Sequence, residues 1–562
     1  MSLKLFHSTS FALSSFFVPE ERHRSVSPAW VVILASLWLA STGNLALWRA
    51  LAALPELGNT RGVLFAVGLG LVIAASCGVL LSLLAWRWLL KPVVILCLMV
   101  AAANTHFMLA YGVVIDPTMM VNVLHTDARE TRDLLGWQLW LTLLVIGAAP
   151  SVWLWRTPLR RHGFLLTLGR NALVCGTAIL VCVGTVILVY QDLASVMRNH
   201  TQLRYMINPL NTFWALGRVA FNPAQRGTGA VVPIGEDAHL AADAAAQRPA
   251  LVVLVVGETA RSANFGINGY GRQTTPRLAA ENVLSWRNAW SCGTNTAVSV
   301  PCMFSHLGRE AFDARTVRHE NLLDALQRAG LAVLWLDNQS GCKGVCERTP
   351  QVNTVAAAVP GLCPAGGCLD EVMLHQLDDR IAALPAERRA KGVVLVMHQM
   401  GSHGPAYHKR SPAAFKKFMP ECASNALQDC SRDSLVNAYD NTILYTDHFL
   451  GDTITWLKSR AATHATALMY VSDHGESLGE NNLYLHGLPW RIAPDVQKHV
   501  PWVTWLSPAY LQRLGTTTQC LRQQQDARIS HDNYFHSVLG LLGVQTRLYQ
   551  RTQDIFATCR PG

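Results

Sequence analysis

With 562 residues, half of them hydrophobic, the chain is long enough for two or three domains. Its formal charge of +10 belongs mostly to the first part: residues 1–228 hold 17 Lys/Arg against 8 Asp/Glu, and the remainder holds 30 against 29. Those cations sit between apolar runs and not on one soluble face, which argues against a nucleic-acid partner and reads as membrane topology.

The first 28 residues read as a cytoplasmic tail. The apolar run at 11–18 is short and lacks a clear small-residue cleavage site, so no removed signal peptide is expected. Five stretches, 30–48, 62–84, 93–114, 137–155 and 172–190, reach the roughly 20 apolar residues that a bilayer crossing takes. His106 is the main ionisable group inside them and reads as a packed imidazole. Spans without paired charges or interruptions do not fit a transporter. Arg87 and Lys91 follow the second stretch, and Arg156, Arg160, Arg161 and Arg170 follow the fourth, so both loops are expected in the cytoplasm. The loop 116–135 is richer in acid and belongs outside. An odd number of spans then leaves everything after Tyr190 outside as well. Residues 191–249 read as a connector: 192–222 has the helical spacing of a segment lying on a membrane surface, and 227–249 is an Ala-, Gly- and Asp-rich linker.

From residue 250 the pattern changes. Short apolar runs at 251–256, 332–336, 393–397, 467–471 and 500–506 alternate with helical patterns at 321–329, 371–384 and 434–457. This predicts an α/β domain over 250–562 with a mostly parallel sheet covered on both faces, following a five-helix membrane domain over 1–190.

The cysteines divide at the same point. Cys77, Cys97, Cys175 and Cys182 lie in spans and read as small apolar residues. The other ten follow Tyr190, and neighbour pairing joins Cys292 to Cys302, Cys342 to Cys346, Cys363 to Cys368, Cys422 to Cys430 and Cys520 to Cys559. Such pairs in an exported domain read as disulfides. The rival reading is a zinc site built from Cys342, Cys346, Cys363 and Cys368.

Three apolar runs end on chemistry. Gly257-Glu258-Thr259, Gly401-Ser402-His403-Gly404-Pro405 and Ser472-Asp473-His474-Gly475-Glu476 each follow a predicted strand, where open α/β sheets bind ligands. Carboxylates with an imidazole suit Zn²⁺ or Mn²⁺, and a threonine oxygen as fourth ligand suits tetrahedral zinc. Thr296, in Ser291-Cys292-Gly293-Thr294-Asn295-Thr296-Ala297-Val298-Ser299-Val300-Pro301-Cys302, would then be an activated nucleophile. A helix beginning near Ala297 would turn its amides toward a phosphate. The plain alternative is a capping threonine, and Thr294 is the rival nucleophile. His403 and His486 would bind a second metal or hydrogen-bond a phosphate. Lys343 would meet phosphate oxygens, with Gln339 and Ser340 as further candidates for that task. Glu476 would serve as an acid/base or as a support behind the ligands.

Together these passages resemble the phosphoethanolamine transferases that modify Gram-negative outer-membrane lipid, a group that includes lipid A enzymes and the mobile colistin-resistance enzymes. The most specific are Val256-Gly257-Glu258-Thr259-Ala260-Arg261, the segment 292–305 and the segment 472–486. The resemblance implies a multi-pass inner-membrane protein with a cytoplasmic amino terminus and a periplasmic domain similar to alkaline phosphatase. It places the zinc ligands on Glu258, Thr296, Asp473 and His474, with Thr296 as nucleophile. It places donor-phosphate or second-metal residues on Thr294, Lys343, His403, Glu476 and His486, with Gln339 where the family usually has Asn. The loop 116–130, with Met119, Asn122, His125 and Asp127, resembles the family's outward loop beside the lipid site. The implied reaction moves phosphoethanolamine from phosphatidylethanolamine to lipid A, by one chain acting as a monomer, and confers polymyxin resistance. Transfer to a core sugar of lipopolysaccharide, phosphoglycerol transfer and phosphatase activity use the same fold and stay open. A sulfatase nucleophile is followed two residues later by Pro-Ser/Ala-Arg, whereas Cys302 is followed by Met303-Phe304-Ser305.

Overall fold

The computed structural model describes residues 25–560 apart from 127, 223–228 and 365–366. Most of the predicted cytoplasmic tail, and Asp127, therefore lie outside the described residues. Among the described residues, five helices are long and apolar enough to cross a membrane: Pro28–Ala52, Thr60–Leu83, Leu90–Tyr111, Trp137–Arg156 and Phe164–Asn199. The last has 36 residues, about 54 Å at 1.5 Å per residue, so it overshoots a hydrocarbon core of about 30 Å. Arg61 and Asp192 pair at 2.8 Å beside its overhang.

The first span is not continuous, a feature its apolar pattern did not predict. A 3-10 turn at Thr42–Asn44 interrupts it, which frees carbonyls in a region where water cannot satisfy them. The connector fills the gap. Asn44 donates to the carbonyls of Leu39 and Asn208, and Asn208 donates from its side chain to the Gly43 carbonyl and from its backbone to Asn44 Oδ1. Thr105 Oγ1 adds a third donor to the break, again on Gly43. The segment predicted to lie on the membrane surface thus includes a plug, and its helix Leu210–Ala220 packs on the outer-loop helix Pro117–His125.

The second half is built on one eight-stranded sheet. In chain order its strands are β1 Ala250–Gly257, β2 Leu284–Trp290, β3 Ala332–Asp337, β4 Gln351–Asn353, β5 Gly392–His398, β6 Ala465–Ser472, β7 His499–Leu506 and β8 Ile529–Ser530. Across the sheet they run β8-β2-β7-β6-β1-β5-β3-β4. Within this sheet β7 alone is reversed, antiparallel to both β2 and β6. The central strand β1 reads Ala-Leu-Val-Val-Leu-Val-Val-Gly and is buried throughout, the continuous apolar run of a strand covered on both faces. Its alternate residues serve two cores. Leu251, Val253 and Val255 meet the face of the long helix Arg432–Ser459, whereas Val252, Leu254 and Val256 meet helices Leu322–Arg328 and Tyr534–Leu542.

Two expected elements differ. The helical pattern at 371–384 is split into a 3-10 turn Asp370–Met373 and a helix Leu377–Ala382, because Gln376 between them is left-handed at φ +52°. The expected linker is not a free tether: Val231–Val232 pairs with Arg318–His319, and His239–Leu240 pairs with Val544–Gln545. β2 belongs to the sheet although its alternating pattern was not read as a strand.

Five disulfides join Cys292–Cys302, Cys342–Cys346, Cys363–Cys368, Cys422–Cys430 and Cys520–Cys559, and the four span cysteines are free. Loop length orders their expected contributions. Cys520–Cys559 spans 39 residues of sequence, and opening it to a pair of serines should cost about 4 kcal/mol. Cys342–Cys346 spans 4 residues, and its loss should cost about 2 kcal/mol. The urea concentration at which the second half of the full chain becomes protease-sensitive should fall further for the first pair.

Candidate active site

The carboxyl ends of β1, β6 and β5 converge beneath the start of helix Thr296–Met303. Glu258 follows β1. The next residue, Thr259, is left-handed at φ +52°, an uncommon conformation for a β-branched side chain. It is held there from both sides: its amide donates to Asp473 Oδ1, and its carbonyl accepts from the Tyr439 hydroxyl. Asp473 and His474 follow β6. Gly401, after β5, packs directly under Glu258. It is left-handed at φ +49°, and a Cβ there would lie 2.8 Å from the Glu258 carbonyl oxygen.

Thr296 Oγ1 donates to Glu258 at 3.0 and 3.1 Å and lies 3.4 Å from His474 Nε2. Thr294, two residues earlier, donates its hydroxyl to the Leu488 carbonyl at 2.6 Å. The loop is held by the Cys292–Cys302 staple and by Asn295, whose side chain caps the helix on Val298 N. His474 Nδ1 lies 2.9 Å from the Gly475 carbonyl, so that nitrogen carries a proton and Nε2 turns to Glu258 Oε1 at 3.3 Å and Asp473 Oδ2 at 3.4 Å.

These groups fit a metal ion. Glu258, Asp473 and His474 are wholly buried, and their ligand atoms lie within 4.8 Å of one another. Asp473 Oδ2 has no hydrogen-bond partner, although it is buried. Two buried carboxylates facing one imidazole lone pair call for a cation between them. The ionisation of the three groups carries the same demand for positive charge, which His474 answers by holding its proton. Burial and the neighbouring Glu258 charge push the Asp473 carboxyl up to about 6. Burial also opposes ionisation of Glu258, but His474 outweighs it and holds that carboxyl at about 2. Burial opposes charge on His474 as well, yet Asp473 and Glu258 hold it at about 9.

The other expected site residues surround this cluster. The His486 ring lies 4.3 Å from that of His474 and 5.6 Å from that of His403. Its Nδ1 is 3.1 Å from Glu476 Oε1, and Glu476 Oε2 accepts from the Tyr407 hydroxyl. Burial holds His403 well below the ordinary imidazole value. Lys343 Nζ donates to Ser340 Oγ at 2.7 Å and to the His125 carbonyl at 3.3 Å. Gln339 donates to Glu130 at 3.2 Å.

Three groups here were not singled out from sequence. Glu130, from the outer loop of the membrane domain, accepts from Ser340 at 2.9 Å and lies 3.7 Å from His403. Arg410 links Asp133 of the same loop, at 2.9 Å, to the His403 carbonyl, also at 2.9 Å. His398 ends β5 as Glu258 and Asp473 follow their strands; its Nδ1 faces Asp337, and its Nε2, buried without a hydrogen-bond partner, lies 4.0 Å from Glu258. That placement at a strand end was the available signal.

Two cavities border the helix Thr296–Met303. One, of about 510 Å³, is lined by Val298, Ser340 and Lys343 and by Thr118, Val121 and His125 of the outer-loop helix. The other, of about 620 Å³, is lined by Thr294, Asn295, Arg309, Pro489, Trp490 and Arg491.

Residues 73–223 match the family described as Phosphoethanolamine transferase EptA/EptB, and residues 250–544 match the Sulfatase family. The chain is 41% identical to Phosphoethanolamine transferase EptA of Escherichia coli strain K12, over 95% of this chain and 97% of that one. It belongs to the phosphoethanolamine transferase family. Within the family it is 36% identical to Phosphatidylethanolamine transferase Mcr-1 of Escherichia coli, over 93% of this chain and 96% of that one. Its fold matches the integral membrane lipooligosaccharide phosphoethanolamine transferase A (EptA) of Neisseria meningitidis with a TM-score of 0.90, at 35% identity, covering 96% of this chain and 100% of that one. The chain is thus a metal-dependent transferase.

The Gly401 contact yields a test of how closely the cluster is built. Gly401→Ala adds a methyl group against the Glu258 backbone and strains the left-handed turn. Bound metal, measured by elemental analysis of purified protein, should fall, and transferase activity should drop at least about tenfold, the scale of a displaced catalytic group.

Proposed function

We propose that the chain transfers phosphoethanolamine from phosphatidylethanolamine to a phosphate of lipid A through a covalent phosphothreonine at Thr296. It is a multi-pass inner-membrane protein with its catalytic half in the periplasm. It divides into spans at 1–190, a connector at 191–249 and a catalytic domain at 250–562. One zinc is held by Glu258, Thr296, Asp473 and His474; a second cation beside His403 and His486 is weaker. All these groups lie in one chain, which supports a monomer as the acting unit.

The observation that carries this reading is the division of labour between the two threonines. Thr296 offers its hydroxyl to the ligand cluster, whereas Thr294 spends its hydrogen bond on the Leu488 carbonyl. When bound, the zinc supplies a Lewis acid that favours ionisation of an adjacent hydroxyl. The proton of Thr296 Oγ1 already points at Glu258. The oxygen attacks the donor phosphorus, the bond to the diacylglycerol oxygen breaks, and that oxygen leaves with the proton that Thr296 gives up. Lys343 faces the donor phosphate from the 510 Å³ cavity, and His486, turned by Glu476, faces it from beside His474. An oxygen of the acceptor phosphate then attacks the phosphothreonine and restores Thr296. The two cavities bordering the helix support separate approaches for donor and acceptor.

Thr296→Ala should abolish transfer in a folded, inserted protein, and Thr294→Ala should retain more activity; mass spectrometry of lipid A from cells carrying each variant reads this. Exhaustive chelation should remove activity, and zinc alone should restore it at one equivalent. Added ethanolamine brings a positive amine beside each modified phosphate and weakens attraction for cationic peptides. The wild-type chain should therefore raise polymyxin resistance in a susceptible Gram-negative host, and the Thr296→Ala chain should not. Unchanged resistance with a modified core sugar would instead identify the sugar as acceptor.

A further inference from the structure

Outside the ligand set, one buried imidazole touches both halves of the reaction centre. Strand β8 lies parallel to β2, with Ser530 opposite Trp290. That register sets His531 beside Ser291 and Cys292, where the nucleophile loop begins. The turn carrying it is fixed by its own side chains: Ser530 and Asn533 form a capping box, and Asp532 accepts from the Arg309 amide at 2.7 Å. His531 is 1% exposed. Its Nδ1 accepts the Cys292 amide at 3.1 Å, and its Nε2 lies 3.0 Å from the Ser472 carbonyl. A carbonyl only accepts, so Nε2 bears the proton and Nδ1 the lone pair. Ser299, on the nucleophile helix, completes the link: its hydroxyl donates to the Asp473 carbonyl and accepts the Gly293 amide.

We propose that His531, together with Ser299, is a positioning residue for Thr296: it spans from the start of the nucleophile loop to the end of the strand that carries Asp473 and His474, and so sets the separation of hydroxyl and ligands. Neither residue reaches the substrate. The brace requires a neutral ring, because an imidazolium has no lone pair for Cys292. Burial holds His531 down at about 3, so the ring stays neutral through the working range.

This inference rests on Thr296 as the nucleophile. In full-length protein reconstituted with phosphatidylethanolamine and lipid A, His531→Ala should lower kcat about 10- to 100-fold, the scale of an ångström of misplacement. KM for the donor and the zinc content should stay unchanged. His531→Asn keeps an acceptor near the Nδ1 position, and His531→Gln keeps a donor near Nε2, so each should recover part of the loss. Adding Ser299→Ala to His531→Ala should cost less than the product of the two single losses, since both hold the same two segments. Rates are referred to the folded fraction, and the mass of the Thr296 segment after incubation with donor alone reports the first half-reaction. A wild-type kcat per folded molecule in His531→Ala, or a loss confined to KM or to zinc content, overturns the proposal. Thr296→Ala is run beside it. If that variant still transfers, the nucleophile assignment itself has failed; if it is inactive while His531→Ala is fully active, only the brace is removed.

Discussion

Two carboxylates, Glu258 and Asp473, are buried side by side, faced by the His474 imidazole and, 4.0 Å from Glu258, by that of His398. Water has been excluded, so the negative charge must be balanced locally. Much of the nearby architecture serves that demand. Parallel strands deliver the groups at the same height, and the left-handed turns at Thr259 and Gly401 bring separate chain segments into contact. The threonine helix closes the cluster from above. The Thr296 hydroxyl stands directly against that charge, donating to Glu258.

The membrane half is a wall of that centre. Glu130 and Asp133 come from a loop between the third and fourth spans, yet they reach Ser340, His403, Lys409 and Arg410 of the catalytic half. The connector is seated in the break of the first span through Asn44 and Asn208. The two halves therefore meet through directional, buried polar contacts, the kind that specify one arrangement rather than a sliding interface.

Much of this was legible from residue order because a parallel sheet gathers its strand ends in one place. An apolar run followed by Glu258, or by Asp473-His474, states both burial and location. Thr296 was legible through its neighbours, two cysteines that hold its loop. Other parts carry no local sign. Glu130 is one acid in a mixed loop, and only the tertiary fold brings it to Ser340. His531 sits after a strand of two residues, too short for a hydrophobic pattern. Asn44 closes the stretch Ser41-Thr42-Gly43-Asn44, which the apolar average over residues 30–48 absorbs, so the break it supports was not read. The bend at Gln376 split a helix whose hydrophobic spacing continued through it.

The 510 Å³ cavity has a floor made by Thr118, Val121 and His125, on a helix that follows directly from the third span. On the proposed reaction, a lipid donor taken there would travel sideways from the outer leaflet and would not pass through water. Encounter is then a two-dimensional process. The quantity that sets its frequency is the mole fraction of donor in the leaflet, and diluting the same bilayers with buffer changes nothing. Leaflet composition, lateral mobility and the tilt of the spans become kinetic variables for this enzyme in the way that bulk concentration is for a soluble one.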